Sequence, residues 1–412
     1  MDNNIIMPLL NGLQIPSRLI NIISWYLLSL MMTAEKHTQK FATKISGKTN
    51  SLFSKLLIRH LGLSKLVLNR AARRRLKKLL KKRFPLVKNA PWTIAIIIDS
   101  TLHSRSSKYI ENAQKFNHGK GWLTGHQWTN IGILIAGQYV PLPPIPFYTK
   151  SECKKRGIKY KTEHDKIISF LKTLSLTNIL GVHEKSEIVF IMDAGYDCRK
   201  LQRAILKRGW DFVAAIKKDS TILKTKKEWI QISTFFKDGR RPWKAIRIKT
   251  NGGKKKWQKY TIKQLEGYLK GVKRVSKLVC SKKSNRKEKF FACSNVNVDI
   301  RIIIATYLKR WAVELFHRAV KSNLGFEDAG VEKFDTLHAH IHWVYCAYIF
   351  LHDLIEGEGI GVKDKQIILE AKIEATKIKR IIQKVTQFNG QEKVKGYCFQ
   401  VINNIESLYG KL

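Results

Sequence analysis

Acidic residues are scarce in this chain: 31 Asp and Glu stand against 77 Lys and Arg in 412 residues, a formal charge of +46. A drift of composition towards Lys would raise Glu with it, and acids have not risen. The deficit therefore reads as a polyanion partner, with nucleic acid foremost. Paired cysteines are missing as well. The six cysteines, at 153, 198, 280, 293, 346 and 398, form no C-x-x-C pair, which argues against a zinc site or a disulfide framework and suits a reducing cytoplasm. Long apolar runs are absent. Residues 19–32 make only 14, and residues 341–355 are interrupted by two His and one Asp. A spanning helix needs about 18 clean apolar residues. Both stretches are expected to be buried helices, with no membrane partner. Met1-Asp2-Asn3-Asn4 lacks the basic start of a signal peptide.

What is present divides by character, and the length suffices for two or three domains. Residues 1–90 read as a basic helical region. Residues 38–48, the Gly47 turn and a helix from Asn50 have helix–turn–helix shape, with Asn50 or Ser51 as N-cap. Such a motif puts Asn50, Ser51, Ser54 and Lys55 near base edges, although any short helical hairpin has the same outline. From Arg70 to Arg83 the cations, Arg73, Arg74, Arg75, Lys77 and Lys78 among them, lie along a stripe of Leu76, Leu79 and Leu80. No acid is interspersed, so phosphate contact is favoured over a merely solvated face.

Residues 91–217 alternate strand and helix, as an α/β sheet does. They include a loop with Arg105, Lys108, Lys115 and Lys120, a hairpin over 127–142, and helices over 165–174 and 198–207. Residues 218–297 read as a β-rich insertion containing the turn signal Asn251-Gly252-Gly253. Residues 298–356 return to the core, and 357–412 are a helical C-terminal region with little functional signal. His338 and His342 share a helical face, but no H-E-x-x-H pattern surrounds them, so they read as structural.

Two aspartates follow unbroken apolar runs. Residues 93–98 lead into Asp99, and residues 187–192 into Asp193. Runs of this kind are central strands buried on both faces. A carboxylate at the end of one is costly unless paired or bound to metal. The alternative for each is a turn or helix cap. Asp197 reads as the N-cap of the next helix, which leaves Asp193 without that explanation.

Further on, Tyr307, Arg310, Glu314 and Lys321 are offset by 3, 7 and 14 residues. On one α-helix these offsets fall within roughly 60° of arc. Trp311 and His317 flank that face. A polar helix face or a structural Glu–Arg pair would look similar. The spacing Tyr-(2)-Arg-(3)-Glu-(6)-Lys, with the two upstream aspartates, resembles the Y-R-E-K motif of DDE transposases from bacterial insertion sequences, in the group numbered family four. The resemblance covers roughly residues 91–325.

That resemblance implies an RNase H-like catalytic core holding a β insertion between the second Asp and the Glu. It implies Asp99, Asp193 and Glu314 as ligands of Mg²⁺ or Mn²⁺, and oxygen ligands do suit those ions. Tyr307, Arg310 and Lys321 would hold phosphates, and Trp311 a base drawn out of the stack, unless it is a core residue. A second stacking Trp is expected in the insertion, where Trp229, Trp243 and Trp257 are open choices. The implied reaction is cleavage of double-stranded DNA at transposon ends, through a hairpin, and insertion into target DNA. The implied assembly is a homodimer in a synaptic complex on the bacterial nucleoid, in the cytoplasm. The alternatives are a metal-dependent nuclease without strand transfer and a catalytically silent DNA-binding descendant.

Overall fold

The computed structural model describes residues 3–389 apart from 106–108, 118–120, 177–186, 224–227, 238–241, 251–255, 273, 284–285 and 358. Lys108, Lys120 and the Asn251-Gly252-Gly253 turn lie outside the described residues. Two compact units divide the chain. One comprises Met1–Ala72, Tyr109–Glu111 and Arg318–Leu412; the other comprises Arg73–Lys108 and Asn112–His317. The longer helices are, in chain order, α1 (Ser17–Met31), α2 (Gln39–Ser46), α3 (Asn50–Arg59), α4 (Leu61–Leu80), α5 (Glu163–Thr173), α6 (Arg199–Lys207), α7 (Ile300–Leu308), α8 (Trp311–Asn323), α9 (Phe334–Leu354) and α10 (Val362–Asn389).

The first unit is helical. Its centre is formed by the two apolar stretches, now α1 and α9, in which residues 23–31 and nearly all of 334–351 are buried. Polar pairs pin the helices together: Tyr26 Oη meets His340 Nδ1 at 2.8 Å, and Ser64 Oγ meets His342 Nδ1 at 2.9 Å. The N-terminal helices, expected to stand as a separate region, thus bury their faces against the C-terminal ones. Among the described residues no helix is long and apolar enough to cross a membrane.

The short hairpin is also present. Thr38 Oγ1 caps α2 by accepting from the Phe41 N–H, and Gly47 closes it at φ +67°. Thr49, not Asn50 or Ser51, is the α3 N-cap residue, because Asn50 already begins the helix. Ser54 donates to Gln39 Oε1 at 2.6 Å and so ties α2 to α3, while Asn50, Ser51 and Lys55 stay exposed.

The second unit is built on one large mixed sheet. Its strands are β1 (Ile94–Ser104), β2 (Gln114–Asn117), β3 (Trp122–Ile135), β4 (Gln138–Pro141), β5 (Ile145–Pro146), β6 (Ile188–Met192), β7 (Asp211–Ile216), β10 (Lys244–Thr250), β11 (Lys256–Tyr268), β12 (Val275–Lys282) and β13 (Lys289–Cys293). A separate pair, β8 (Thr221–Leu223) and β9 (Trp229–Gln231), lies off it. The order is β10-β11-β12-β13-β7-β6-β1-β3-β2. Strands β1, β6 and β7 are parallel, and β3 and β13 flank them antiparallel. The β-rich insertion therefore extends the central sheet edge-on.

Register explains the place of Asp99. The β1–β6 pairing ends at Ile97↔Ile191, yet β1 runs on to Ser104 because the long β3 still pairs with it, Asp99 opposite Asn130. Asp99 is thus inside a strand and just beyond the parallel core, not at a strand end as its sequence context suggests. The β3–β4 turn holds Ala136 and Gly137 at φ +48° and +74°, the signature of a tight hairpin. The five described cysteines are free thiols.

His338 and His342 lie inside the helical unit with ring centroids 4.3 Å apart, and burial holds both below the usual histidine range, His338 down to about 3. Below pH ~6.5 the unfolded chain takes up protons that these folded rings refuse. Stability of this unit should fall as pH drops from ~6.5 towards 3, by up to ~1.4 kcal/mol per pH unit for His338, with His342 acting in the same direction. Denaturant melts at several pH values should show a shallower decline in His338→Gln; an unchanged slope would count against the buried neutral ring.

Candidate active site

Helices α7 and α8 meet in a bend. The amides of Lys309, Arg310, Ala312 and Val313 bond to the carbonyls three residues back at 3.0–3.1 Å, a 3₁₀-type tightening. The single helix face expected for residues 307–321 is therefore broken after Leu308. The two apolar stripes require this. In α7, Ile300 and Ile304 pack with Ile246, Ile248, Val279 and Phe291 of the extended sheet. In α8, Phe316 packs against Tyr139 with the rings tilted and their centroids 5.1 Å apart. Tyr139 in turn lies over Gly132, where a Cβ would come within 2.2 Å of its ring.

The bend places Arg310 between two carboxylates. Its Nη1 is 3.1 Å from Asp99 Oδ2 and its Nη2 is 3.1 Å from Glu314 Oε1. The Ser100 N–H donates to Asp99 Oδ1 at 3.0 Å. Burial pushes the Asp99 carboxyl up to about 7; Arg310 pulls it down, and the nearby Glu314 and Asp193 push it up again. Burial works against the Arg310 charge, but Asp99, Tyr307, Glu314 and Asp193 together hold its pKa above the usual range. Tyr307 packs on Phe291 at 4.7 Å, hydrogen-bonds Arg310 and is itself raised, mainly by burial.

His317 joins the group. One ligand atom each from Asp99, Glu314 and His317 lie within 4.8 Å of one another. His317 is buried, and its Nε2 is 2.7 Å from Asn130 Nδ2. The sequence marked His317 only as a flanking residue and missed Asn130, whose one signal is an amide in a run of buried strand residues.

Asp193 sits at the end of β6, one strand over from Asp99, and falls outside that group of three. Its role as a local cap is real: its Oδ1 accepts the Gly195 N–H at 2.9 Å and opens the short turn Ala194–Tyr196. Asp197, expected as the helix cap, instead takes bonds from Arg199, Gln202, the Lys217 N–H and Ser220. The residue before α6 is Cys198, with no side-chain cap.

The other expected site residues are scattered. Trp311 is 53% exposed, which removes the core-packing alternative. Lys321 lies further along α8, in the helical unit, paired with Glu327 at 2.9 Å. Arg73, Lys77 and Lys78 are exposed and Arg74 is half-buried. Arg75 is corrected: it is buried and bonds Gln138, because its turn of α4 faces inward between Ala72 and Leu76. A further carboxylate, Glu163, gathers Thr129, Gln127 and Tyr196.

Residues 162–350 match the family model of the transposase DDE domain. The match supports a DDE transposase, and with it a DNA substrate. It takes in Asp193 and Glu314, covers a little under half of the chain and begins after Asp99. No curated protein matches the chain significantly. The mixed α/β architecture with its large mixed sheet is consistent with such a domain. Domains of this family use a divalent metal ion, and the residues here fit one. Two carboxylates with a third close by crowd negative charge at a half-buried place, which a hard cation relieves.

A pH test follows from Asp99. Its folded pKa of about 7 lies above the unfolded value of about 4, so without divalent ions the folded chain holds the extra proton between those limits. Its contribution to stability is then lost as pH rises through that window. Melts in chelator should show that Asp99→Asn removes this part of the slope; parallel pH profiles for both proteins would contradict the raised pKa.

Proposed function

We propose that this chain is the transposase of a bacterial insertion sequence of the Y-R-E-K group, with an RNase H-like core. It cuts DNA at the terminal repeats of its element, through a hairpin, and joins the ends to target DNA. The observation that carries this reading is the clamp of Arg310 between Asp99 and Glu314, with Asp193 directly after the adjoining strand. Asp99, Asp193 and Glu314 would hold Mg²⁺ or Mn²⁺. Bound there, such ions stabilise charge on the attacking and leaving oxygens of a phosphodiester.

The protein groups handle the phosphates. The Arg310 fork, released from its carboxylates, grips a phosphate in two places, and Lys321 acts as a point charge on its neighbour. The Tyr307 hydroxyl donates to the same backbone. Trp311, exposed beside Arg310, is suited to stacking on an extruded base. Among the three insertion tryptophans Trp257 is the most exposed, at 63%, and it faces Lys249 across the β10–β11 ladder. Two rungs away, on the same face, Arg247 opposes Lys259. Like charges directly opposite are unfavourable on their own, and a phosphate backbone resolves them. The exposed Arg73, Lys77 and Lys78, and the hairpin of α2 and α3, supply further DNA contacts. Two copies acting in one synaptic complex on the nucleoid complete the reading.

The deciding assay offers purified protein labelled DNA bearing its native terminal repeats, with and without Mg²⁺. Joined product is expected. Cut product alone would make the chain a nuclease, and a gel shift without either would make it a binder. Asp99→Ala, Asp193→Ala and Glu314→Ala should each abolish cleavage and keep end binding; full cleavage by any one excludes that residue from the ion site.

Trp311→Ala should leave nicking near normal, depress hairpin yield and change stability by no more than about 0.5 kcal/mol, as for other surface positions. Equal loss of nick and hairpin would sink the base-holding role. Lys77→Ala and Lys78→Ala should weaken DNA binding and lessen its dependence on salt, whereas Arg75→Ala should act on the melting temperature. Binding isotherms at two salt concentrations, beside melts, separate the two behaviours.

A further inference from the structure

We propose that His317 is a ligand of the same ion, giving the site a nitrogen donor beside its carboxylates, and that Asn130 is the residue that orients its ring. The inference rests on the ion site of the proposed function.

Three independent features of the fold converge on it. Glu314 and His317 are three residues apart on α8, so they lie on one face of the helix. Asp99 and Asn130 are direct partners on the β1–β3 ladder, so the bond from Asn130 to His317 Nε2 anchors the ring to the rung that carries Asp99. The ligand atoms of Asp99, Glu314 and His317 lie within 4.8 Å of one another, as donors to one ion must.

The packing around the ring keeps it there. His317 is 8% exposed and Asn130 is fully buried, and Phe316 beside the ring is itself held on Tyr139. A polar amide buried in a strand needs partners, and here the imidazole is one of them. A histidine that binds metal through one ring nitrogen donates the N–H of the other to a neighbour, and with Nδ1 towards the ion the amide of Asn130 serves by turning its oxygen to the Nε2–H.

A nitrogen donor has a consequence for ion choice. Imidazole suits transition metals better than it suits Mg²⁺, whereas carboxylates alone serve Mg²⁺ and Mn²⁺ alike. His317 therefore biases the site towards Mn²⁺. Asn130→Ala, which leaves every ligand in place but loosens the ring, should weaken Mn²⁺ binding by about 10–100-fold.

The test uses the full chain with Mn²⁺ and pulsed electron paramagnetic resonance. The expected signal is nitrogen modulation on the Mn²⁺ spectrum that shifts when histidine is supplied with the heavier nitrogen isotope. This part needs no variant, so a misfolded mutant cannot obscure it. The modulation should vanish in His317→Gln, and Mn²⁺ and Mg²⁺ affinities should draw closer together in that variant. Binding that Asp99→Asn abolishes, with no histidine modulation in the unaltered chain, overturns the role of His317 and leaves the ion site standing. No Mn²⁺ bound at all, or binding indifferent to Asp99→Asn, overturns the ion site and this inference with it.

Discussion

The second unit depends on a conflict of charge. Asp99 and Glu314 come to opposite ends of one guanidinium in a half-buried place, with Asp193 near enough to act on both Asp99 and Arg310. Carboxylates so placed repel each other and resist desolvation, and Arg310 is the protein's own answer. Much of the surrounding architecture serves to bring these groups together. The β1 strand outruns its parallel neighbour so that Asp99 projects past the core, and the α7–α8 bend delivers Arg310 and Glu314 to it.

That bend also couples the site to the rest of the sheet. Ile304 of α7 packs with strands that the insertion contributes, whereas Phe316 of α8 packs on the β3–β4 side. The two helices thus rest on opposite flanks of the parallel core, and Arg310 lies at the joint. A change in the insertion strands therefore has a mechanical route to the guanidinium through α7. Continuity of the sheet from β10 to β2 makes the insertion part of the scaffold and not an appendage.

Much of this was legible in the chain. Buried parallel strands announce themselves as unbroken β-branched runs, so β1 and β6 were found, and the spacing around Glu314 led to the residues that meet at Arg310. What sequence periodicity could not show depends on tertiary partners. Strand length past Ile98 is decided by β3, which is remote in the chain. The helix break at residues 309–310 is decided by two packing surfaces and by no proline or glycine, so no local signal marks it. Arg75 reads like its cationic neighbours, and only the inward turn of α4 distinguishes it. The capping roles of Asp193 and Asp197 were exchanged because both precede turns and only three-dimensional neighbours tell them apart.

The helical unit draws on both ends of the described chain, with α1 closing on α9. On a ribosome adding about 5–20 residues each second, the interval between these helices takes on the order of 15–60 s to make. For that time α1 has only its N-terminal neighbours, such as Phe53 beside Tyr26, and lacks the α9 side of its core, while the sheet of the other unit is emerging. A nascent chain cut short before residue 334 carries N-terminal helices that cannot complete their core. Newly made protein thus acquires this unit only after its Glu314 segment has already been synthesised.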